Sequence, residues 1–318
     1  MALSTEYIIT LQQLDGIGNK TILKIANQAI GDITSLIQLC EFWKTLKGKK
    51  IESISDDDLE QANRVAHRIM ERAEQEGVGI ISYYDKIYPE MLRQCTDETG
   101  KLDPPILLYY RGDINIINKP SIAVIGTREP TPNGKQAGVY FAAEFAKRGY
   151  NIVSGLAIGC DSTGHEGALK VGGVTTAFLA NGLDWGSIYP KENLELAKRI
   201  VNNGGLLLSE YAIGQACGRY GLVARDRLQA GLSIATMVVQ TGIKGGTMHA
   251  VHATLASGKP LLVVDYKKAE DLNHEKVQGN IYLAEKKGAI HLSSSVLDFI
   301  IDKIEKKRPI VEEKALFD

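Results

Sequence analysis

The sequence predicts an α/β fold: an extended Rossmann-like, doubly wound, mainly parallel sheet with a small N-terminal helical unit in front of it. Residues 121–165 run strand, glycine turn, helix, strand, glycine turn, which is the βαβ signature. Further apolar runs downstream alternate with helix-compatible runs, as helices on both faces of a sheet require. Residues 3–76 instead show helical periodicity throughout.

Within the first unit, residues 1–76, helices are expected over 7–14, 20–29, a short segment at 33–46, and 57–75. Asp56 to Asp58 supply an N-cap and acids that suit a helix N-terminus, while Gly77 and Gly79 end the run. Gly16-Ile17-Gly18 has the form of a helix-hairpin-helix turn, in which glycines flank an apolar residue and leave amides free for a phosphate. On that reading Gly16, Gly18 and Lys20 are a secondary phosphate contact. A helical hairpin whose glycines serve only its turn fits the same residues.

The second unit, 77–306, turns to strands and loops from about Ile80, with the proline-marked stretch 88–111 expected to wrap an edge of the sheet. Then come a strand at 122–125, a tight turn at 126–128, a helix at 135–148 with Ala137, Phe141 and Phe145 on one face, and a strand at 152–153. Strands follow at 175–179, 205–208, 235–239 and 260–264, with helices such as 193–202 and 247–257 between them and a last helix near 294–306. Residues 307–318 form a charged tail, expected to be flexible.

Parallel strands point their carboxyl ends the same way, so the turns after residues 125 and 153 converge on one crevice. Amides of glycine-rich turns and helix N-termini make such a crevice attractive to anions, and Arg128 and Lys135 add full positive charge. Lys244-Gly245-Gly246-Thr247, opening a helix, is another anion seat. A nicotinamide-binding unit would carry G-x-G-x-x-G and close its second strand with an acid. This chain has Gly126-Thr127-Arg128 and Ser154-Gly155, which disfavours a dinucleotide; no cofactor is expected.

These residues, taken with the motifs that follow them, resemble the DNA-processing protein A (DprA/Smf) family. The resemblance rests on Gly126-Thr127-Arg128, Ser154-Gly155-Leu156-Ala157-Ile158-Gly159-Cys160-Asp161 with His165, Gly182 through Tyr189-Pro190, Ser209-Glu210, and Arg225-Asp226-Arg227-Leu228 with Gly231-Leu232-Ser233. It extends from Tyr88-Pro89 to Gly258-Lys259-Pro260, about residues 80–266. The resemblance implies single-stranded DNA bound in the basic crevice, a homodimer, and help in loading a RecA-type recombinase during natural transformation. It also implies no catalytic reaction, and it favours the DNA-contacting reading of the hairpin. The expected phosphate-binding set is Gly126, Thr127, Arg128, Lys135, Ser154, Gly155, Leu156, Gly159, Asp161, His165, Gly182, Arg225, Arg227, Lys244, Gly245, Gly246 and Thr247. The family usually has Arg where Ile158 sits, Asn where Asp226 sits and an aromatic where Asn133 sits; the first two departures make the crevice less welcoming to phosphate. Some relatives append a winged helix, for which the residues after 306 are too few.

Composition narrows the alternatives. Thirty-seven basic against 38 acidic residues leave a net charge of −1, so a nucleic-acid site must be a local patch. No apolar run is long enough for a membrane helix and the first residues lack a signal-peptide pattern, so a cytoplasmic protein is expected. Cys40, Cys95, Cys160 and Cys217 are scattered, which argues against a zinc site or a disulfide framework; Cys160 reads as a packing residue. His249 and His252 have helical ligand spacing but no third ligand, so no metal is expected. Asp161 is expected to cap a helix through 166–170 and fix its loop, and His165 to contact ligand or close the turn. Arg225 and Arg227, on a strand or turn, would point both guanidinium groups to one side; the alternative is an internal ion pair with Asp226. Two other function classes use the same crevice: a nucleotide-signal sensor, and a nucleotide-processing enzyme, against which the missing Glu in 248–254 counts.

Overall fold

In the computed structural model, residues 3–218 and 221–306 are described; the charged tail from Lys307 on lies outside them. The chain opens with four helices, α1 (Thr5–Gln12), α2 (Asn19–Ala26), α3 (Leu36–Thr45) and α4 (Asp56–Gln75). α4 starts where Ser55 and Asp58 exchange side-chain and backbone hydrogen bonds in a capping box, with three acids in its first turn. Then follow β1 (Gly79–Ser82), α5 (Glu90–Arg93), β2 (Leu107–Gly112), β3 (Ser121–Ile125), α6 (Pro132–Lys147), β4 (Asn151–Ser154), α7 (Cys160–Lys170), β5 (Thr175–Leu179), α8 (Leu194–Asn202), β6 (Leu206–Ser209) and α9 (Gly221–Leu232). β7 (Ala235–Val238), α10 (Thr247–Ala256), β8 (Leu261–Val264), α11 (Ala269–Leu272), α12 (Gln278–Lys287), β9 (Ile290–Leu292) and α13 (Leu297–Lys306) complete it.

The nine strands form one sheet in the order β1-β2-β6-β5-β4-β3-β7-β8-β9. From β6 to β9 every pairing is parallel, while β1–β2 and β2–β6 are antiparallel. The fold class is therefore the expected one, with a correction at one edge: the stretch 88–111 does not merely wrap the sheet but contributes β2 to it. A second correction concerns residues 225–227, which lie on a helix, α9, and not on a strand or turn. α6 starts earlier than expected because Thr131 caps it and Pro132 occupies its first turn, where a missing N–H costs nothing.

The period of two along the strands divides the core. Leu107 and Tyr109 of β2, Ala177 and Leu179 of β5 and Leu207 of β6 face one apolar cluster. Their neighbours Leu108, Phe178, Leu206 and Leu208 face another, together with Leu228 and Leu232 of α9. The first cluster continues without a break into the helical unit through Ile8, Leu11, Ile22, Leu39 and Leu59. β3, β7 and β8 pack on α6 through Ile122, Met237, Leu262, Phe141 and Phe145.

Candidate functional site

β3 sits between β4 and β7: the chain leaves β3 through α6 to one side and returns to the other side only at β7. That reversal is a topological switch point, where the loops at the strand ends part and leave room. A crevice of about 610 Å³ opens there. Gly126-Thr127-Arg128 line it from the end of β3, Ala157, Ile158 and Asp161 from the end of β4, and Thr241-Gly242 with Lys244 to Thr247 from the end of β7. α9 closes it with Leu222, Val223, Arg225, Asp226 and Gln229.

The three loops are held together by their backbones. Thr127 N–H donates to Gln240 O at 2.8 Å and Cys160 N–H to Thr127 O at 3.0 Å. A Cβ on Gly126 would lie 2.6 Å from Cys160 Sγ and 2.7 Å from Gln240 O, so only glycine permits this closeness. Gly159 has φ +88°, and its loop passes so near the β3 turn that a Cβ would lie 2.4 Å from Arg128 O. Beyond β7, Gly246 and Thr247 bring the first amides of α10 to the crevice, and helix-opening amides have no partner within the helix.

Three cations and three carboxylates line the space: Arg128, Arg225 and Lys244 against Glu129, Asp161 and Asp226. They are not equivalent. Arg128 and Lys244 are exposed, with no carboxylate at ion-pair distance among the described residues. Arg225 is only 5 % exposed; its Nη1 donates to Gly155 O and, at 2.8 Å, to Phe178 O, and its Nε lies 3.2 Å from Asp226 Oδ1. Burial pushes the Asp226 carboxyl up to about 6 against the pull of Arg225. Asp161, buried in the crevice wall, is likewise raised by burial and opposed by Arg225; its Oδ2 accepts from Ala157 N–H at 3.2 Å, fixing the loop. Lys276, 2.7 Å from Glu129, holds that carboxylate low.

The structure thus gathers Gly126, Thr127, Arg128, Asp161, Arg225, Lys244, Gly245, Gly246 and Thr247 at the crevice, with Gly155 in the lining of an adjoining cavity. It takes the rest of the expected set elsewhere. Lys135 is exposed on α6 outside the lining. Ser154 Oγ donates to Val124 O within the sheet, and Leu156 is buried with its carbonyl accepting from Asn193. Gly159 shapes the loop, as above. Gly182 packs against Ala212 O and Gly214 N. His165 is buried with Nδ1 2.7 Å from Thr175 Oγ1, and burial lowers its pKa to about 3, so it is neutral and out of a ligand's reach. Arg227 fails for a geometric reason: two residues along a helix turn about 200°, so it leaves on the side opposite Arg225. There it donates to both oxygens of Glu210 at 2.9 Å and lies 2.7 Å from Asp103. The alternative reading, an internal ion pair with Asp226, describes Arg225.

Other singled-out residues have plain neighbours. Gly16 has φ +76° with the Lys50 side chain across it, Lys50 Nζ lies 3.0 Å from Asp15, Gly18 caps α2, and Lys20 lies 3.4 Å from Asp103. His249 pairs with Glu98 at 2.8 Å. Asn133 donates to Asp271 at 3.0 Å. Cys160 is buried, its thiol pushed up to about 12. Among the described residues no group of three or more His, Cys, Asp or Glu side chains is gathered for a metal, and no helix is long and apolar enough to cross a membrane. Leu222, Val223, Gln229 and Glu129 were missed as lining residues. For α9 the signal existed: Leu222, Arg225, Asp226 and Gln229 stand at i, i+3, i+4 and i+7, one face of a helix.

Comparison with known proteins adds to this geometry. DNA processing protein DprA of Bacillus subtilis is 29 % identical over 250 residues, 74 % of this chain and 81 % of that protein. Protein Smf of Escherichia coli is 31 % identical over 191 residues, and there the chain spans about half of the relative's length, 49 %. The crystal structure of DNA processing protein A from Streptococcus pneumoniae matches 94 % of this chain and 98 % of its own at a TM-score of 0.72 and 24 % identity, which speaks to the fold. The structure of DNA processing protein A from Helicobacter pylori, a protein with a single-stranded DNA binding mode, matches 72 % of this chain and 96 % of its own at a TM-score of 0.60 and 32 % identity. The sequence profile of the DNA recombination-mediator protein A family matches residues 64–302. The chain belongs to that family.

Proposed function

We propose that the switch-point crevice binds single-stranded DNA with little base specificity, protecting incoming strands and assisting a RecA-type recombinase, as a cytoplasmic homodimer. The observation that carries this reading is the meeting of turns from three strand ends with two exposed, unpaired cations, Arg128 and Lys244, in one open crevice. The Helicobacter pylori relative, with its single-stranded DNA binding mode, supports it. The contacting set narrows to Gly126, Thr127, Arg128 and Lys244 through Thr247. Arg225 holds the crevice floor in place. Residues 1–76 act as a helical unit on the 77–306 body, with Gly16, Gly18 and Lys20 a minor contact at most.

The test is affinity for labelled oligonucleotides from one to about twenty nucleotides, each across a salt series. Affinity should rise with length, and its log–log salt slope should be roughly −0.7 per phosphate contact. A curve that saturates at one nucleotide would overturn the DNA reading in favour of a nucleotide signal. Among the described residues of the crevice lining no nucleophile has an adjacent base, so no turnover of nucleoside monophosphates or DNA is expected. Release of free base, abolished by a change in the crevice, would overturn that part.

A further inference from the structure

Gln240 stands two residues past the end of β7, fully buried, where Met237, Val238 and Val239 before it are apolar. A buried amide costs free energy unless its polar atoms are paired. Here both are paired to one residue: Oε1 accepts from Thr131 N–H at 2.9 Å, and Nε2 donates to Thr131 Oγ1 at 2.9 Å. That same hydroxyl oxygen accepts from Gly134 N–H at 3.0 Å and so caps α6. The backbone of Gln240 meets the other end of the loop, its O accepting from Thr127 N–H at 2.8 Å. Residues 127–131 are therefore clipped at both ends to one residue. Arg128 stands between the clips, on the crevice wall.

The glycine at 134 follows from this contact. Its place inside α6 would otherwise favour a side chain, but a Cβ there would run into Gln240 Oε1. From Gln240 the chain passes directly to Thr241, Gly242 and Lys244, which line the crevice from the end of β7. One residue thus fixes both seats, the β3 turn through its hydrogen bonds and the β7 loop through the chain itself. An exposed arginine on an untied loop would have to be ordered by its ligand, and that ordering would be subtracted from affinity. Gln240 is not itself among the residues that line the crevice.

We propose that Gln240 is a positioning residue for strand binding: without touching DNA, it holds the 127–131 loop so that Arg128 meets a phosphate at a fixed separation from the seat opening α10. The proposal rests on the single-stranded DNA reading of the crevice. A glutamine that only satisfied a buried helix cap would matter to stability alone.

The experiment is a double-substitution cycle, read as affinity of the full chain for a labelled thymidine strand of about twenty nucleotides, at a temperature where circular dichroism finds each variant folded. Gln240→Met keeps the length of the side chain and removes both of its bonds to Thr131. Gly134→Ala leaves the glutamine in place and pushes its amide aside, while the added helix propensity offsets lost stability. Each should lower affinity about tenfold and make the log–log salt slope shallower by roughly 0.7, the share of one phosphate contact. Arg128→Ala should cost about tenfold in the parent but less than about twofold in either background, because the arginine is no longer held in place. An Arg128→Ala cost that is the same in all three backgrounds, or parent-like affinity of both single variants, overturns the positioning role and leaves the DNA reading standing. Should Gln240→Met not fold, the Gly134→Ala background alone decides. Arg128→Ala without effect in the parent overturns the DNA reading at this cation, and the positioning role with it.

Discussion

Three glycine-framed turns read alike as phosphate seats, two in the crevice at 126–128 and 245–247 and one in the hairpin at 16–18, and their surroundings set them apart. In the crevice, loops from three strand ends meet around an open space, and Arg128 and Lys244 stand there with no carboxylate at ion-pair distance among the described residues. At the hairpin, Lys50 lies across Gly16 and is bonded to Asp15, while Lys20 faces Asp103. A free amide is worth little to an anion where neighbouring cations already have carboxylates; convergence and unpaired charge make the seat. The same distinction separates the two crevice arginines, one exposed and one built into the floor.

The largest effect should come from the buried one. Arg225→Met removes the donors to Gly155 O and Phe178 O and leaves Asp226 and Asp161 without their cation, so unfolding free energy should fall by about 3–5 kcal/mol. Denaturant titration measures it, and full native stability with lost DNA affinity would erase the contrast between floor and contact. Arg128→Glu should do the reverse, costing about 1–3 kcal/mol in single-stranded DNA affinity with stability changed by less than about 0.5 kcal/mol. Fluorescence anisotropy together with a melting curve separates these outcomes.

Next in size is Asp226. Its carboxyl titrates from 3.8 in the unfolded chain up to about 6 in place, so its stabilising contribution is full below about 4 and is lost as pH rises through about 6. Ionised, it also repels phosphate. DNA affinity should therefore increase as pH falls from 8 to 5.5. Asp226→Asn should flatten that dependence and tighten binding at pH 8 by about 1 kcal/mol, besides raising the melting temperature there. A parent and variant with parallel pH profiles would show that the carboxylate does not face the ligand. The smallest effect belongs to the hairpin: Gly18→Ala with Lys20→Glu should change affinity for long strands by less than about 0.5 kcal/mol. A tenfold loss would make the hairpin a second seat after all.

Much of this was legible because it is local. The β3 turn, the βαβ unit and the anion seat opening α10 can be read from periodicity and glycine spacing alone. α9 was not, because Gly221 and Gly231 punctuate it and Val223 weakens its helical propensity, so Arg225 and Arg227 were placed on one side instead of two. Ser154 and His165 belong to the family's motifs yet face Val124 and Thr175, partners 30 and 10 residues away whose placement only the folded sheet decides. Motif membership does not distinguish a residue that touches a ligand from one that shapes the loop beneath it. β2 stayed hidden behind Pro104-Pro105 because one of its two pairing partners, β6, lies about a hundred residues downstream.

One last consequence concerns inheritance of the parts. Leu11, Ile22, Leu39 and Leu59 share a single apolar core with Leu107, Tyr109 and Leu207, and the family match itself begins at residue 64, inside α4. A cut between 76 and 77 would therefore bare the edge of the sheet at β1 and β2, where α1 and α4 pack. The four helices are not a cassette that can be swapped between relatives by joining at the linker. A chimera would have to carry over the facing residues of β1 and β2 with them to keep that core closed.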